Sequence, residues 1–173
     1  MLDRAARGQG LPLWFALATV IAESGLNPRA ERWGSETPAA KAALAAQNWP
    51  ALQAVINRAG ADISFSYGQQ IILYHYVGTR QPTIENCLAV REHVFNNPEE
   101  NLTDMCKRLA ANFLRVAGDP RLSYVGGDQY LGALLVYNSG SLQTDPAWWK
   151  RWGSNIASYR DAIVRAKQMV GNA

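Results

Sequence analysis

Glu23 is the side chain in this sequence best suited to proton transfer. It follows residues 13–22, an apolar segment without a charged side chain, and it is followed closely by Gly25 and Pro28. Gly25 favours the left-handed conformation that ends a helix and Pro28 prevents the helix from resuming, so Glu23 is predicted in a last helical turn. Burial and the negative end of the helix dipole both disfavour a carboxylate there and are expected to raise its pKa. A carboxyl group that stays protonated near neutral pH can act as a general acid.

Two segments resemble motifs of the soluble lytic transglycosylase and goose-type lysozyme superfamily. Residues 21–28 read Ile-Ala-Glu-Ser-Gly-Leu-Asn-Pro and are similar to the Glu-Ser motif, in which a helix ends on the catalytic glutamate. Residues 134–140 read Leu-Leu-Val-Tyr-Asn-Ser-Gly and resemble the Ala-Tyr-Asn-Ala-Gly signature. The resemblance implies that Glu23 is the catalytic acid, that Asn138 contacts the sugar and that Tyr137 helps to hold the carboxyl group.

Two further similarities extend this resemblance along the chain. The stretch from Ser66 to Gln70 resembles the family's Gly-Leu-Met-Gln motif, with Ser66 in place of the glycine. Gln69, or Gln70 after a shift of one residue, stands in place of the glutamine. Tyr159 resembles the C-terminal tyrosine with which the family closes its site opposite the glutamate. Together with Ser24, Tyr137 and Asn138, these residues form the predicted substrate-binding set.

The resemblance implies cleavage of the β-1,4 bond between N-acetylmuramic acid and N-acetylglucosamine in peptidoglycan. The catalytic acid would then activate the sugar's own C6 hydroxyl, which gives the 1,6-anhydro product of a lytic transglycosylase. A hydrolytic goose-type muramidase needs a second carboxylate as base, and Asp62 is the only acid beside a recognised motif. Glu31 and Glu36 lie in the loop after the first motif and are less well placed. A non-catalytic wall-binding or phage structural module of the same fold is the third alternative.

Charge and hydropathy indicate which partners to expect. The formal net charge is +3, and the basic excess lies in the segment from residue 145 onward. Such an excess suits an anionic polymer such as a bacterial cell wall, whereas nucleic-acid binding would need a denser basic stripe. No apolar run approaches the roughly 20 residues of a bilayer span. We expect a monomer that acts on glycan strands at the cell wall, and because no signal peptide is recognised the route of export stays open.

Neither a metal nor an organic cofactor is expected. The only histidines are His75 and His93, so a zinc site would need an unusual ligand set. Cys87 and Cys106 lie on the apolar faces of predicted helices, which predicts two buried core residues, with one disulfide as the alternative. Buried thiols are poor nucleophiles, and a Cys–His peptidase is therefore disfavoured.

The elements that must position these residues are predicted to be mostly helices. Hydrophobic residues make up 48% and charged residues 18% of the 173 residues, which suits a single compact domain. We predict a mainly α, lysozyme-like α+β fold over residues 1–173, with a helical insertion at about residues 35–60. Apolar periodicity and capping residues predict helices over residues 13–24, 38–47, 49–59, 84–95, 98–117, 128–137 and 155–170.

Three stretches between these helices are less regular. Residues 29–37 are predicted to be an irregular loop, and residues 62–70 an irregular or extended entry into a helix. Residues 146–153 contain three tryptophans and two cations. These indoles either pack in the core or form a cleft wall on which sugar rings stack.

Overall fold

The computed structural model describes residues 1–66 and 83–171. Within these residues the chain is mainly helical and has one two-stranded antiparallel sheet, as the mainly α prediction requires. The strands are β1 (Glu31–Trp33) and β2 (Ile63–Phe65), and 3-10 turns cover Gly60–Asp62 and Pro120–Val125. The helices are α1 (Leu2–Gly8), α2 (Leu13–Ser24), α3 (Thr37–Ala45), α4 (Trp49–Ala59), α5 (Ile84–Asn96), α6 (Pro98–Val116), α7 (Gln129–Ser139), α8 (Pro146–Arg151) and α9 (Gly153–Gly171).

Contacts divide the chain into two units. The discontinuous unit combines Met1–Gly25 with Leu102–Ala173, and the inserted unit is the continuous segment Leu26–Asn101. The helical pair predicted at about residues 35–60 corresponds to α3 and α4 and belongs to the inserted unit.

Helix α2 of the discontinuous unit forms as predicted. Pro12 is extended and directly precedes it, while Gly25 adopts the left-handed conformation at φ 60° and donates its N–H to the Ile21 carbonyl. Among the described elements, α2 and α9 form the most extensive helix pair. Both helices carry buried alanines: Ala16 and Ala18 in α2, Ala162 and Ala166 in α9. The first and last parts of the chain are thereby joined.

Helix α7 is capped at both ends and packs closely against a neighbouring turn. The Asp128 side chain accepts a hydrogen bond from the Leu131 N–H at 3.0 Å, and Gly140 ends the helix in the left-handed conformation at φ 81°. A Cβ atom on Gly132 would lie 2.3 Å from Cδ2 of Leu122 in the adjacent 3-10 turn. Glycine at this position therefore permits the helix to approach that turn.

The tryptophans of helix α8 have different environments. Trp149 is buried, donates its indole N–H to the Gln143 carbonyl at 2.8 Å and stacks on Tyr124 at 4.9 Å between ring centroids. Core packing, one of the two predicted alternatives, therefore describes Trp149. Trp148 and Trp152 are half-buried and stack on each other at 4.9 Å.

The inserted unit is organised around a short sheet, of which the sequence predicted only the extended segment at β2. In β1 and β2, Glu31 pairs with Phe65 and Trp33 pairs with Ile63. Trp33, Ile63 and Phe65 are fully buried, in a core shared with α3, α4 and α5. The prediction of an irregular loop over residues 29–37 is wrong at Glu31–Trp33, because a three-residue strand is too short to show an alternating pattern.

The predicted starts of α4 and α5 in the inserted unit are confirmed by their caps. The side chain of Asn48 accepts a hydrogen bond from the Ala51 N–H, and that of Thr83 accepts one from the Asn86 N–H, both at 3.2 Å. In the discontinuous unit two helix starts differ from prediction. Helix α1 was not predicted, because its buried residues are only Ala5 and Ala6, and α9 begins at Gly153 rather than at residue 155.

Both cysteines are free and buried, as predicted for core residues. Burial raises the pKa of Cys87 to about 12 and that of Cys106 to about 11. The two thiols therefore stay protonated at neutral pH, which makes them poor nucleophiles. Among residues 1–66 and 83–171, no helix combines the length and apolar character needed to cross a bilayer.

Candidate active site

The candidate site lies in the discontinuous unit, at the C-terminal end of helix α2. Glu23 is half-buried in the last turn of this helix, as its sequence context predicted. Its Oε1 atom accepts a hydrogen bond from the hydroxyl of Tyr159 in α9, at 2.9 Å. The two residues are 136 positions apart in the sequence, so the packing of α2 on α9 creates the contact.

Tyr159 is a neutral hydrogen-bond donor in this site. Its side chain is buried, with 5% of the residue exposed. Burial, and then the charge of Glu23 and the hydrogen bond to it, raise the pKa of Tyr159 far above its usual value, against a smaller opposing effect of Asn138. The phenol therefore keeps its proton throughout the physiological pH range. It donates a hydrogen bond to the carboxyl group and adds no charge to the site.

Asn138 forms the second hydrogen bond of this cluster. Its side chain bonds to the hydroxyl of Tyr159, so this hydroxyl accepts from the Asn138 amide while it donates to Glu23. Asn138 itself is exposed in the last turn of α7, where its remaining amide groups can meet a ligand. The geometry thus links three separate sequence motifs in one chain of hydrogen bonds. We call Glu23, Asn138 and Tyr159 the carboxyl cluster.

Tyr137 and Ser24 lie next to this cluster but have other contacts. Tyr137 is half-buried and close enough to Tyr159 to influence it electrostatically. The Ser24 hydroxyl donates a hydrogen bond to the Val20 carbonyl at 2.8 Å, one turn earlier in α2. Ser24 therefore offers a ligand its oxygen lone pairs rather than its proton.

Arg108 is a neighbour of the site that the sequence did not indicate. It lies in α6, for which the sequence predicts only a helix. Burial lowers the pKa of Arg108, with an opposing effect of nearby Tyr137. Its Nη2 atom is buried and has no hydrogen-bond partner among the described residues. A charged residue within the apolar repeat of α6, beside Leu109, is the sequence signal that could have identified it.

Ser66, from the second group of motifs, lies in the inserted unit directly after β2. It has φ 65°, a left-handed conformation that favours glycine. Its backbone N–H donates to the Ala30 carbonyl at 2.8 Å, and its side chain is fully buried. The residue as a whole is fully buried, so Ser66 lies in the interior of the inserted unit and not on a surface that a ligand contacts. Gln69 and Gln70 lie outside the described residues.

Asp62 is exposed at the end of a 3-10 turn in the inserted unit. Within the part of the chain that the structure describes, it takes part in no ion pair. Glu31 and Glu36, the other acids considered as a base, are bonded to the guanidinium groups of Arg91 and Arg58. Hydrogen bonds from Arg58 lower the pKa of Glu36, so Asp62 is the least constrained of the three carboxylates.

The described residues contain no group of three His, Cys, Asp or Glu side chains arranged to bind a metal ion. No family model, curated protein or solved structure matches the chain. What the site can do is therefore argued from its own groups. These are a carboxyl group oriented by a neutral phenol, and an exposed amide beside them, which together suit proton transfer to a polar, uncharged ligand.

Proposed function

We propose that this protein cleaves the glycan strands of peptidoglycan at the bacterial cell wall, with Glu23 as the catalytic acid. The substrate bond is the β-1,4 link between N-acetylmuramic acid and N-acetylglucosamine. One observation carries the proposal: Glu23, Asn138 and Tyr159, taken from three separate motifs of one resemblance, are joined by hydrogen bonds. Their convergence supports a common catalytic role, because nothing in their sequence positions requires them to meet.

The proposed reaction begins with proton transfer from Glu23 to the glycosidic oxygen. The bond between this oxygen and C1 of the muramic acid breaks through an oxocarbenium-like transition state. The C6 hydroxyl of the same sugar then attacks C1, and its proton passes to the Glu23 carboxylate. The product carries a 1,6-anhydro ring, and Glu23 regains the proton that it lost.

The neighbouring residues are proposed to orient groups rather than to transfer protons. Tyr159 fixes Oε1 of Glu23, and its protonated phenol can stabilise the carboxylate that forms after proton transfer. Asn138 holds the Tyr159 hydroxyl and presents its amide to the sugar, while Tyr137 supports the same end of the site. Fixed donors of this kind need little reorganisation during the reaction, which is how they lower the barrier.

A hydrolytic muramidase is the second candidate, with Asp62 as its base. The observation that favours Asp62 over Glu31 and Glu36 is that both alternatives are bonded to arginines. Inverting hydrolysis requires roughly 6.5–9.5 Å between the two carboxyl groups, with a water molecule between them. The two candidate reactions give different products and can therefore be separated chemically.

The proposal is tested by digesting purified peptidoglycan with wild-type protein and with Glu23→Gln. This substitution keeps the shape of the side chain but removes the transferable proton, so we expect at least ~10²-fold slower cleavage with unchanged circular dichroism. Glu85→Gln, an exposed carboxylate of α5, is the matched control. Near-normal cleavage by Glu23→Gln would contradict the assignment, and wall binding without cleavage by the wild type would support a non-catalytic module instead.

Mass spectrometry of the same digest identifies the reaction. A transglycosylase releases muropeptides that are lighter by one water molecule than hydrolytic products and forms no new reducing ends. Reducing ends that disappear in Asp62→Asn would establish the muramidase and assign Asp62 as its base.

A further inference from the structure

The inserted unit contains a cavity whose lining residues play no part in the carboxyl cluster. Its volume is about 420 Å³, within the range of roughly 300–1,000 Å³ that is typical of small-ligand sites. The lining combines two cations, one acid, one amide and two apolar side chains: Arg29, Arg91, Glu92, Asn96, Leu88 and Phe95. This mixture suits a ligand that has charged and apolar parts close together.

Arg91 is held in place but keeps unused hydrogen-bonding capacity. Its Nη2 atom donates to Oε1 of Glu31 at 2.8 Å, and its guanidinium carbon lies 4.9 Å from the centre of the Phe95 ring. Its Nε atom is buried and has no hydrogen-bond partner among the described residues. A buried N–H without an acceptor is unfavourable, so an acceptor from a ligand would relieve the cost.

Arg29 is the second cation at this cavity. Its guanidinium carbon lies 5.8 Å from the centre of the same Phe95 ring, and within the described ranges it takes part in no ion pair. Guanidinium groups bind carboxylates through two parallel hydrogen bonds. Both guanidinium groups lie at one aromatic ring, and among the described residues Arg91 is the one that pairs with a carboxylate. Together they can therefore bind the carboxylate of a ligand.

We propose that this cavity binds the carboxylate-bearing end of a short peptide. Arg29 and the Nε of Arg91 provide the donors for the carboxylate, and Glu92 provides a partner for an amine of the same peptide. Leu88 and Phe95 contact its apolar side chains. Glu92 would repel a ligand that is entirely anionic, which favours a peptide over a phosphate polymer.

The identity of the peptide rests on the proposed function. If the protein acts on peptidoglycan, the peptide is the stem that is attached to muramic acid, because this stem has free carboxylates, an amine and alanine methyl groups. The cavity would then recognise the peptide part of the polymer on which the protein is proposed to act.

Isothermal titration calorimetry with the free tetrapeptide L-alanyl-γ-D-glutamyl-meso-diaminopimelyl-D-alanine tests the proposal. We expect binding by the wild type and about tenfold weaker binding by Arg29→Ala, since a charge-assisted hydrogen bond is lost. Arg32→Ala is the matched control, because it removes an exposed arginine of the neighbouring strand. Equal affinity of Arg29→Ala and wild type, or no binding by the wild type, would overturn the proposal.

Two further titrations make the result independent of protein stability and of catalysis. A tetrapeptide with amidated carboxylates should bind at least tenfold more weakly to the wild type, whereas inorganic phosphate that binds as tightly as the tetrapeptide would contradict a peptide site. Glu23→Gln should bind the tetrapeptide with wild-type affinity. Peptide binding without any glycan cleavage would therefore refute the proposed function alone, and cleavage without peptide binding would refute this inference alone.

Discussion

The two units of the molecule hold their partly buried carboxyl groups in different ways. In the discontinuous unit, Glu23 accepts a hydrogen bond from the neutral phenol of Tyr159 at 2.9 Å. In the inserted unit, Glu31 accepts hydrogen bonds from the guanidinium of Arg91 at 2.8 Å and from the indole of Trp33 at 3.1 Å. The distances are similar, but the charge of the donor differs.

This difference matters for the proposed function, because the charge of the donor affects the pKa of the carboxyl group that it bonds. Burial alone would raise the pKa of Glu31, but the hydrogen bonds from Arg91 and Trp33 outweigh it and lower the pKa. Protonation of Glu31 would leave a partly buried guanidinium without its counter-charge. The Tyr159 phenol carries no charge, so protonation of Glu23 removes no counter-charge from it. A carboxyl group paired with a cation is thus suited to stability, and one held by a hydroxyl is suited to catalysis.

The comparison is tested most strongly by Glu31→Gln, the counterpart of Glu23→Gln. Breaking a fully buried ion pair costs roughly 3–5 kcal/mol. The Glu31 side chain is 9% exposed but that of Arg91 is 33% exposed, so we expect the free energy of unfolding to fall by about 2 kcal/mol. Cleavage by the folded protein should stay normal. Denaturant unfolding and a cleavage assay measure both quantities, and lost activity at unchanged stability would reverse the proposed roles.

The stability effect of Glu31 should also depend on pH. Because its pKa is lowered in the folded protein, the contribution is fully present above the ordinary value of about 4.5 and is lost as pH falls through the folded value. The unfolding free energies of wild type and Glu31→Gln should therefore converge in acid. A difference that stays constant down to pH 2 would show that the ion pair is not its source.

Tyr159→Phe removes the neutral donor and should affect turnover less than loss of Glu23 does. We expect about a tenfold decrease, in line with the loss of one preorganised hydrogen bond. The phenol favours the carboxylate form of Glu23, so the basic limb of the pH profile should move to higher pH. Tyr124→Phe is the control, since this exposed tyrosine stacks on Trp149. An unchanged pH profile and turnover would contradict the role of Tyr159.

Asn138→Ala should have the smallest effect of these changes. The amide contacts Tyr159 rather than the acid itself, so we expect turnover to fall by only a few-fold while the shape of the pH profile is kept. Asn155→Ala in α9 is the control at another exposed asparagine. A shift of either limb by a full pH unit would assign Asn138 to proton transfer instead of positioning.

Local sequence signals predicted the parts of the fold that depend on local chemistry. Gly25, Asn48 and Thr83 mark helix ends or starts through their own backbone conformation or side chains. The residues of the carboxyl cluster were also predicted from the sequence, because resemblance to three motifs selected Glu23, Asn138 and Tyr159. The distance between their atoms was not predictable, since it depends on how α2 packs on α9.

Other features depend on contacts that no local pattern records. Arg91 and Glu31 are 60 positions apart in the sequence. No motif next to either residue predicts that they form an ion pair. The charge of Arg108 interrupts the apolar repeat of α6, but its proximity to Tyr137 is evident only from the structure. The left-handed conformation of Ser66 likewise results from its place at the end of β2, because a serine gives no local reason for it.

The division of the discontinuous unit has a consequence for the timing of synthesis. A ribosome completes Glu23 early, then the whole of Leu26–Asn101, and only much later Tyr159 in α9. The inserted unit can fold while the chain is still growing, whereas a nascent chain that lacks α9 carries the acid without its phenol and leaves the partner face of α2 uncovered. The hydrogen bond on which the proposed function depends thus forms only when α9 packs on α2.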